Sequence, residues 1–291
     1  MSLLSYLRQR PWPGLNGFFD LSAFKNQSSA ATHGAAPGVY LIGTGPGDPE
    51  LITVKADRLL RQADVVLYDA LIPAQLLSLL PRRCQRIYVG KRAGQHALKQ
   101  TEINKLLVEY GRSGGVVLRL KGGDPAIFGR VAEEAQALEQ AGLPFAIIPG
   151  ITSASAASAY SGIPLTSRGV ACSVRYLTAQ FADQAQSPDW AGYRYLAAGQ
   201  NPTLVVYMGL GRLGELCRGL RSVGWPADTA IALLDKVSTA EQQQLTGSLA
   251  DIEQRLQKNP LHGPTLIVVG EVVKQPMAVS AALLSCPPEQ T

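Results

Sequence analysis

Val39-Tyr40-Leu41-Ile42-Gly43-Thr44-Gly45-Pro46-Gly47-Asp48 is the stretch on which the fold turns. Four consecutive apolar residues closed by glycine read as a buried strand. The glycines that follow let the backbone turn sharply and approach a ligand closely. A dinucleotide fingerprint, G-x-G-x-x-G, needs a glycine where Asp48 stands. A carboxylate there repels a pyrophosphate, and Pro46 and Pro49 lack the N–H donors of a phosphate cradle. Three readings remain: a phosphate loop, a tight structural turn, and a loop lining a substrate cleft. The third is favoured.

Outward from this loop, strands and helices alternate. Glu50 to Gln62 has helical spacing, Val65–Tyr68 is a strand, and Pro73–Leu80 is a short helix. Arg86–Val89 is a strand. Thr101–Gly111 is a helix, with Thr101 and Asn104 as a weak capping pair. Val116–Leu120 is a strand, Ile127–Ala141 a long helix and Phe145–Ile148 a strand. Pro149-Gly150 then marks a break. Beyond it, strands are expected at Val174–Thr178, Thr203–Met208, Ala230–Leu234 and Thr265–Val269, with a short edge at Leu245–Gly247. Helices are expected at Thr152–Ser161, Leu210–Val223 and Leu249–Gln257. This pattern predicts an α/β protein: two α/β domains with mainly parallel, mixed sheets and an inter-domain active-site cleft. The domains are 37–150 and 151–291. Residues 1–36, rich in proline, glycine and small polar types, are expected to form a flexible extension.

Composition narrows the function. The chain has 291 residues, 46% hydrophobic and 17% charged, which suits compact globular structure. A net charge of +5 is compatible with an anionic substrate. Cys84, Cys172, Cys217 and Cys286 lie far apart, as do His33, His96 and His262, so no metal site or disulfide framework is expected. Scattered reduced cysteines fit a cytoplasmic location. No apolar run is long enough for a membrane span, and no signal core follows Arg8 and Arg10. The dispersed basic residues and 7% aromatics do not outline a nucleic-acid surface.

Several residues fall where α/β sheets carry chemistry, at strand C-termini. Asp69 reads as a ribose-binding acid, a helix cap or a cleft acid-base group. Lys91 and Arg92 read as a solvated basic loop or as charge aimed at an anionic substrate. Gly122-Gly123-Asp124-Pro125 forms a second glycine loop. Arg130 and Glu133 are i,i+3 neighbours on the helix after it, either an ordinary surface pair or a functional one. Thr152 and Ser153 serve as helix caps or ligand hydroxyls. Ser-His-Asp, Walker and HExxH patterns are absent, which counts against hydrolases and NTPases.

Taken together, the strings resemble the tetrapyrrole methylase family. They are Val39 to Thr53, Ala63 to Asp69, Val89-Gly90-Lys91-Arg92, Leu118 to Pro125 and Pro149 to Ser153, extended by Ser161 to Thr166 and Tyr207-Met208-Gly209. The resemblance spans roughly residues 38 to 273. It implies S-adenosylmethionine in the cleft, no metal, a homodimer, and uroporphyrinogen III as a substrate methylated twice to precorrin-2. It implies cofactor contacts at Pro46, Gly122, Gly123, Asp124, Ile127, Thr152, Ser153, Met208 and Val237. Valine departs from the family's small residue at that last position. It implies a proton acceptor at Asp69 and a donor at Lys91, with Arg130 and Glu133 on the helix that closes over substrate. Substrate contacts are expected at Gly47, Asp48, Arg92, Arg130 and Arg168. Ser167 stands where the family often has histidine. The product would feed sirohaem, cobalamin or haem d1 synthesis. A same-fold methylase of another precorrin, of RNA or of protein, a nicotinamide dehydrogenase and a non-catalytic tetrapyrrole carrier are the rival readings.

Overall fold

The computed structural model describes residues 34–90, 98–179, 189–197 and 199–284. Most of the expected N-terminal extension, and the candidates Lys91 and Arg92, lie outside the described residues. Residues 36–291 form one compact unit holding two five-stranded sheets.

The first sheet contains β1 (Gly38–Gly43), β2 (Val65–Tyr68), β3 (Gln85–Tyr88), β4 (Val116–Lys121) and β5 (Phe145–Ile148), in the order β3-β2-β4-β1-β5. Every pairing in it is parallel. The crossovers carry α1 (Val54–Leu60), α2 (Ala74–Ser78), α3 (Gln100–Gly111) and α4 (Val131–Gln140). β4 is the central strand and all six of its residues are buried, as parallel strands covered on both faces should be. Val39, Leu41, Val65, Leu67 and Val117 pack against Ile103 and Leu107 of α3 and Leu138 of α4. Each fully buried leucine contributes about 1.5–3 kcal/mol relative to exposure.

The second sheet contains β6 (Val174–Thr178), β7 (Thr203–Tyr207), β8 (Ala230–Asp235), β9 (Gln243–Ser248) and β10 (Thr265–Val269), in the order β6-β7-β10-β8-β9. It is mixed: β6 and β7 run parallel, and the other three pairings are antiparallel. One face packs on α5 (Ser153–Ser161), whose Ala154, Ala156 and Ala157 allow close approach to Val205, Leu234 and Val268. The other face packs Leu204, Val206, Ile231 and Ile267 against α6 (Leu213–Ser222) and α7 (Ile252–Lys258). A short α8 (Ala281–Leu284) closes the described chain.

Four local expectations change. The helix expected from Glu50 starts later: Pro49–Leu51 is a single 3-10 turn, and α1 begins at Val54 behind the cap Thr53, whose hydroxyl accepts from Ala56 N at 3.2 Å. The α3 cap is not Thr101 with Asn104; the Lys99 N–H donates to the Glu102 carboxylate at 2.6 Å. The helix expected from Ile127 begins only at Val131, because Phe128 (φ 54°) and Arg130 (φ 57°) are left-handed and break helical geometry. Arg130 is therefore the residue before the helix rather than one on its face. The short edge at Leu245–Gly247 is the middle of a six-residue strand paired with all of β8.

Candidate active site

Register places the loops. Gly43 pairs with Lys121 and Ile42 with Ile148, so β1, β4 and β5 end at one level. The loops that follow them, 44–48, 122–130 and 149–152, therefore emerge side by side on the C-terminal edge, where open parallel sheets bind ligands. There is no room for side chains where they meet. A Cβ at Gly43 would lie 2.7 Å from Gly123 O, Gly150 N and Pro125 Cδ, and one at Gly150 would lie 2.4 Å from Gly123 O. Gly45 and Gly123 exchange backbone hydrogen bonds, Gly123 N donating at 2.6 Å and Gly45 N at 3.2 Å.

The second sheet presents its own edge to these loops. β6 runs parallel to β7, and β8 is related to β7 through two antiparallel steps across β10, so β6, β7 and β8 all end on one side. A Cβ at Gly47 would lie 2.6 Å from Thr239 Cγ2 and 3.0 Å from Val237 O. Asp48 N donates to Ser238 Oγ at 3.1 Å, and the Thr152 and Tyr207 hydroxyls lie 2.7 Å apart. The candidate site is the cleft bordered by these two edges.

Backbone strain marks the same place. Among the described residues, the non-glycine residues with left-handed φ are Phe128, Arg130, Met208, Lys236 and Ser238, and all five lie on these edge loops. Such conformations each cost about 1–3 kcal/mol and persist at sites where surrounding contacts over-determine them. Met208 is 49% exposed and Phe128 39%, so neither serves as core filling.

The acids of the glycine loops hold those loops together. Asp48 Oδ1 accepts from Glu50 N at 2.8 Å and Oδ2 from the Tyr160 hydroxyl at 2.6 Å. Asp124 Oδ1 accepts from Ala126 N at 2.8 Å and Oδ2 from Gly150 N at 3.0 Å. Pro46, Gly47, Gly122 and Ile127 line the same loops, half-buried. Val237 is buried, and its side chain joins the core under β8 while its carbonyl abuts Gly47.

Asp69 follows β2 and is partly exposed. Its Oδ1 accepts from Leu71 N at 3.1 Å, and its Oδ2 lies 3.4 Å from Arg119 Nη2. The residue before α2 is Pro73, so Asp69 is not that helix's cap. Behind Asp69 lies a buried charge cluster that sequence reasoning missed. Arg119 Nε donates to Glu134 Oε1 at 3.1 Å and Nη1 to Leu120 O at 2.7 Å. Lys121 Nζ sits 3.0 Å from Glu134 Oε1 and 2.9 Å from Oε2. Gln100 donates to the same carboxylate at 3.2 Å. Burial, followed by the Arg119 charge, pulls the Lys121 ammonium below the usual lysine range, against the pull of Glu134.

Arg130 grips Glu133 through two hydrogen bonds, 2.7 and 2.8 Å, on the exposed side of the same segment. That contact raises the arginine and lowers the Glu133 carboxyl relative to their ordinary values. Arg168 is exposed on the turn between Ser167 and Ala171, and makes no hydrogen bond or ion pair among the described residues. A cavity of ≈ 680 Å³ opens beside the cleft between β6 and α6, with Phe128, Tyr176, Trp190 and Arg212 in its wall. No group of histidine, cysteine and acidic residues among the described residues could hold a metal ion. No described helix is long and apolar enough to cross a membrane.

A family model for tetrapyrrole (corrin/porphyrin) methylases matches residues 38–253. The chain is 48% identical over 235 residues to a siroheme synthase of Acinetobacter baylyi, covering 81% of this chain and 50% of that protein. It is 49% identical over 242 residues to one from Pseudomonas aeruginosa, covering 83% and 51%. The chain thus spans about half the length of these relatives. Among solved structures, uroporphyrin-III C-methyl transferase from Thermus thermophilus, complexed with S-adenosylhomocysteine, superposes with a TM-score of 0.70 at 37% identity, covering 82% of this chain and 99% of that one. A cobalt precorrin-4 methyltransferase superposes at 0.69 with 26% identity, covering 81% and 95%.

Proposed function

The chain belongs to the tetrapyrrole methylase family, and from that premise we propose that it methylates uroporphyrinogen III twice, by way of precorrin-1, to give precorrin-2. The observation that carries this reading is the side-chain-free junction of Gly43, Gly123 and Gly150, ringed by left-handed residues from both sheets. Such a junction brings backbone against a ligand and leaves no direct role for a phosphate cradle, in keeping with Pro46 and Asp48.

The cofactor is S-adenosylmethionine, and the donor set fits it: hydroxyls at Thr152 and Ser153, backbone at Gly122-Gly123-Asp124, and apolar surface at Pro46, Ile127 and Met208. When bound, S-adenosylmethionine supplies a sulfonium methyl that is already electrophilic, so this chain's task is alignment and charge. Uroporphyrinogen III bears eight carboxylates. Arg130 and Arg168, both exposed, are assigned as their partners, and so is Arg92, which lies outside the described residues. Attack by a pyrrole carbon leaves positive charge on the macrocycle, relieved by loss of a proton from a bridging carbon. Asp69 at the end of β2 is assigned as the acceptor of that proton and Lys91 as the acid group of the pair; each transfer adds one methyl, loses one proton and releases S-adenosylhomocysteine. Glu133 holds the Arg130 fork while no substrate carboxylate occupies it.

On this reading 37–150 and 151–291 are the two domains, the enzyme works as a cytoplasmic homodimer, and sirohaem synthesis is the favoured destination, since the relatives are siroheme synthases. The test is incubation with S-adenosylmethionine and uroporphyrinogen III, followed by mass spectrometry. A product carrying two added methyl groups supports the reading. Transfer only to a more highly methylated precorrin would move the assignment to another member of the family.

A further inference from the structure

The geometry points to Tyr207 as a positioning residue for the cofactor, one that reaches from the second sheet to set the direction of the Thr152 hydroxyl. The inference rests on the proposed cofactor role of Thr152 and Ser153.

Helix α5 begins at Ser153, and its preceding residue, Thr152, makes no side-chain cap bond. A helix start leaves N–H groups without intrahelical partners. Here a residue from another sheet takes one of them: Ala154 N donates to the Tyr207 hydroxyl at 3.2 Å. The same hydroxyl lies 2.7 Å from Thr152 Oγ1. A phenol has one proton to give. With Ala154 N–H already donating to it, the Tyr207 hydroxyl is assigned as the donor to Thr152 Oγ1. The threonine's own proton is then free to point away, toward an acceptor in the cleft. Burial holds the phenol above its ordinary value, against the opposing pull of Thr152 and Ala154, so the proton is present at working pH.

The ring does a second job. Its centroid lies 5.1 Å from that of Phe128 and 5.9 Å from that of Tyr176. Phe128 is left-handed and 39% exposed, so the Tyr207 ring supports an apolar surface that its own backbone does not favour. The next residue, Met208, is itself left-handed and exposed. Tyr207 thus ties together three of the segments assigned to the cofactor: 127–128, 152–153 and 208. The acceptor expected opposite Thr152 is a carboxylate or hydroxyl of the cofactor.

The test is calorimetric titration of the full chain with S-adenosylhomocysteine. Tyr207→Phe keeps the ring and loses the hydroxyl; its affinity is expected to fall about tenfold, the scale of one hydrogen bond. Thr152→Ala should cost a similar factor, and the double variant little more than either alone, because the two hydroxyls act as a unit. Tyr207→Leu, which also withdraws support from Phe128, should bind more weakly still. Uroporphyrinogen III affinity should stay within about twofold in Tyr207→Phe, which a general loss of folding would not allow. Tyr207→Phe binding as tightly as the parent, or fully additive losses in the double variant, would overturn the inference while leaving the methyltransferase reading in place. A parent chain that binds no S-adenosylhomocysteine would overturn both.

Discussion

Glu133 and Glu134 are neighbours in sequence, and their environments are opposite. Glu134 is wholly buried against Arg119 and Lys121; Glu133 is about half exposed and shares one bidentate contact with Arg130. The first cluster contains two cations and one anion, so a net positive charge lies under the sheet edge and faces Asp69. The second is a surface pair worth well under about 1 kcal/mol to the fold. The difference teaches which charges are scaffold and which are available. A buried ion that loses its partner keeps the full cost of desolvation, whereas an exposed arginine can exchange Glu133 for a substrate carboxylate at little cost.

The strongest way to break the comparison is Glu134→Ala. It leaves Arg119 and Lys121 buried without their carboxylate and is expected to destabilise the fold by about 3–5 kcal/mol, read from urea unfolding. An effect below about 1 kcal/mol would mean that the cluster is solvated. Asp69 tests the border between the two regions, since it touches the buried cluster yet reaches solvent. Asp69→Asn should lower kcat about a hundredfold or more, with unfolding nearly unchanged; a fully active variant removes it from the mechanism. On the exposed side, Arg130→Leu should lower kcat/KM by roughly ten- to a hundredfold, through one charge-assisted contact, while shifting stability by less than about 0.5 kcal/mol. Full turnover with unchanged substrate affinity would rule out its role.

The smallest expected effect concerns a hydroxyl–carboxylate contact of intermediate exposure. Burial and the bond to Asp48 push the Tyr160 hydroxyl up to about 12, above the ordinary value near 10. Between these values the folded chain holds a proton that the unfolded chain has released, so stability falls as pH rises through that window. Tyr160→Phe lacks this dependence. The unfolding free energies of parent and variant should therefore draw together from about pH 10 to about pH 12. Parallel curves would show that Tyr160 titrates alike in both states.

Much of this was legible in the chain. Short apolar runs, several of them closed by glycine, marked nine of the ten strands nearly to the residue, and Leu245–Gly247 marked the tenth. The failed nucleotide fingerprint at Asp48 pointed to a cleft loop of another kind. The helix expected from Ile127 starts four residues later, at Val131, because apolar periodicity carries no sign of a left-handed residue. Arg119 and Lys121 lie in and just after the strand expected at Val116–Leu120 and carry no role in the sequence reading. They became buried because β4 took the centre of its sheet, and a signal was available in two cations set into a run of leucine and valine. Nothing local in Tyr207 could announce that it caps a helix fifty-three positions earlier in the chain.

The sequence by itself determined where strands end and where the backbone must lack side chains, because glycine, proline and short-range periodicity act within a few residues. Only the tertiary structure decided which carboxylate is buried, which arginine is free and which tyrosine stands behind Thr152. Burial and hydrogen bonding are set by strand order and by what the second sheet brings to the first, and neither is a property of any single stretch of chain.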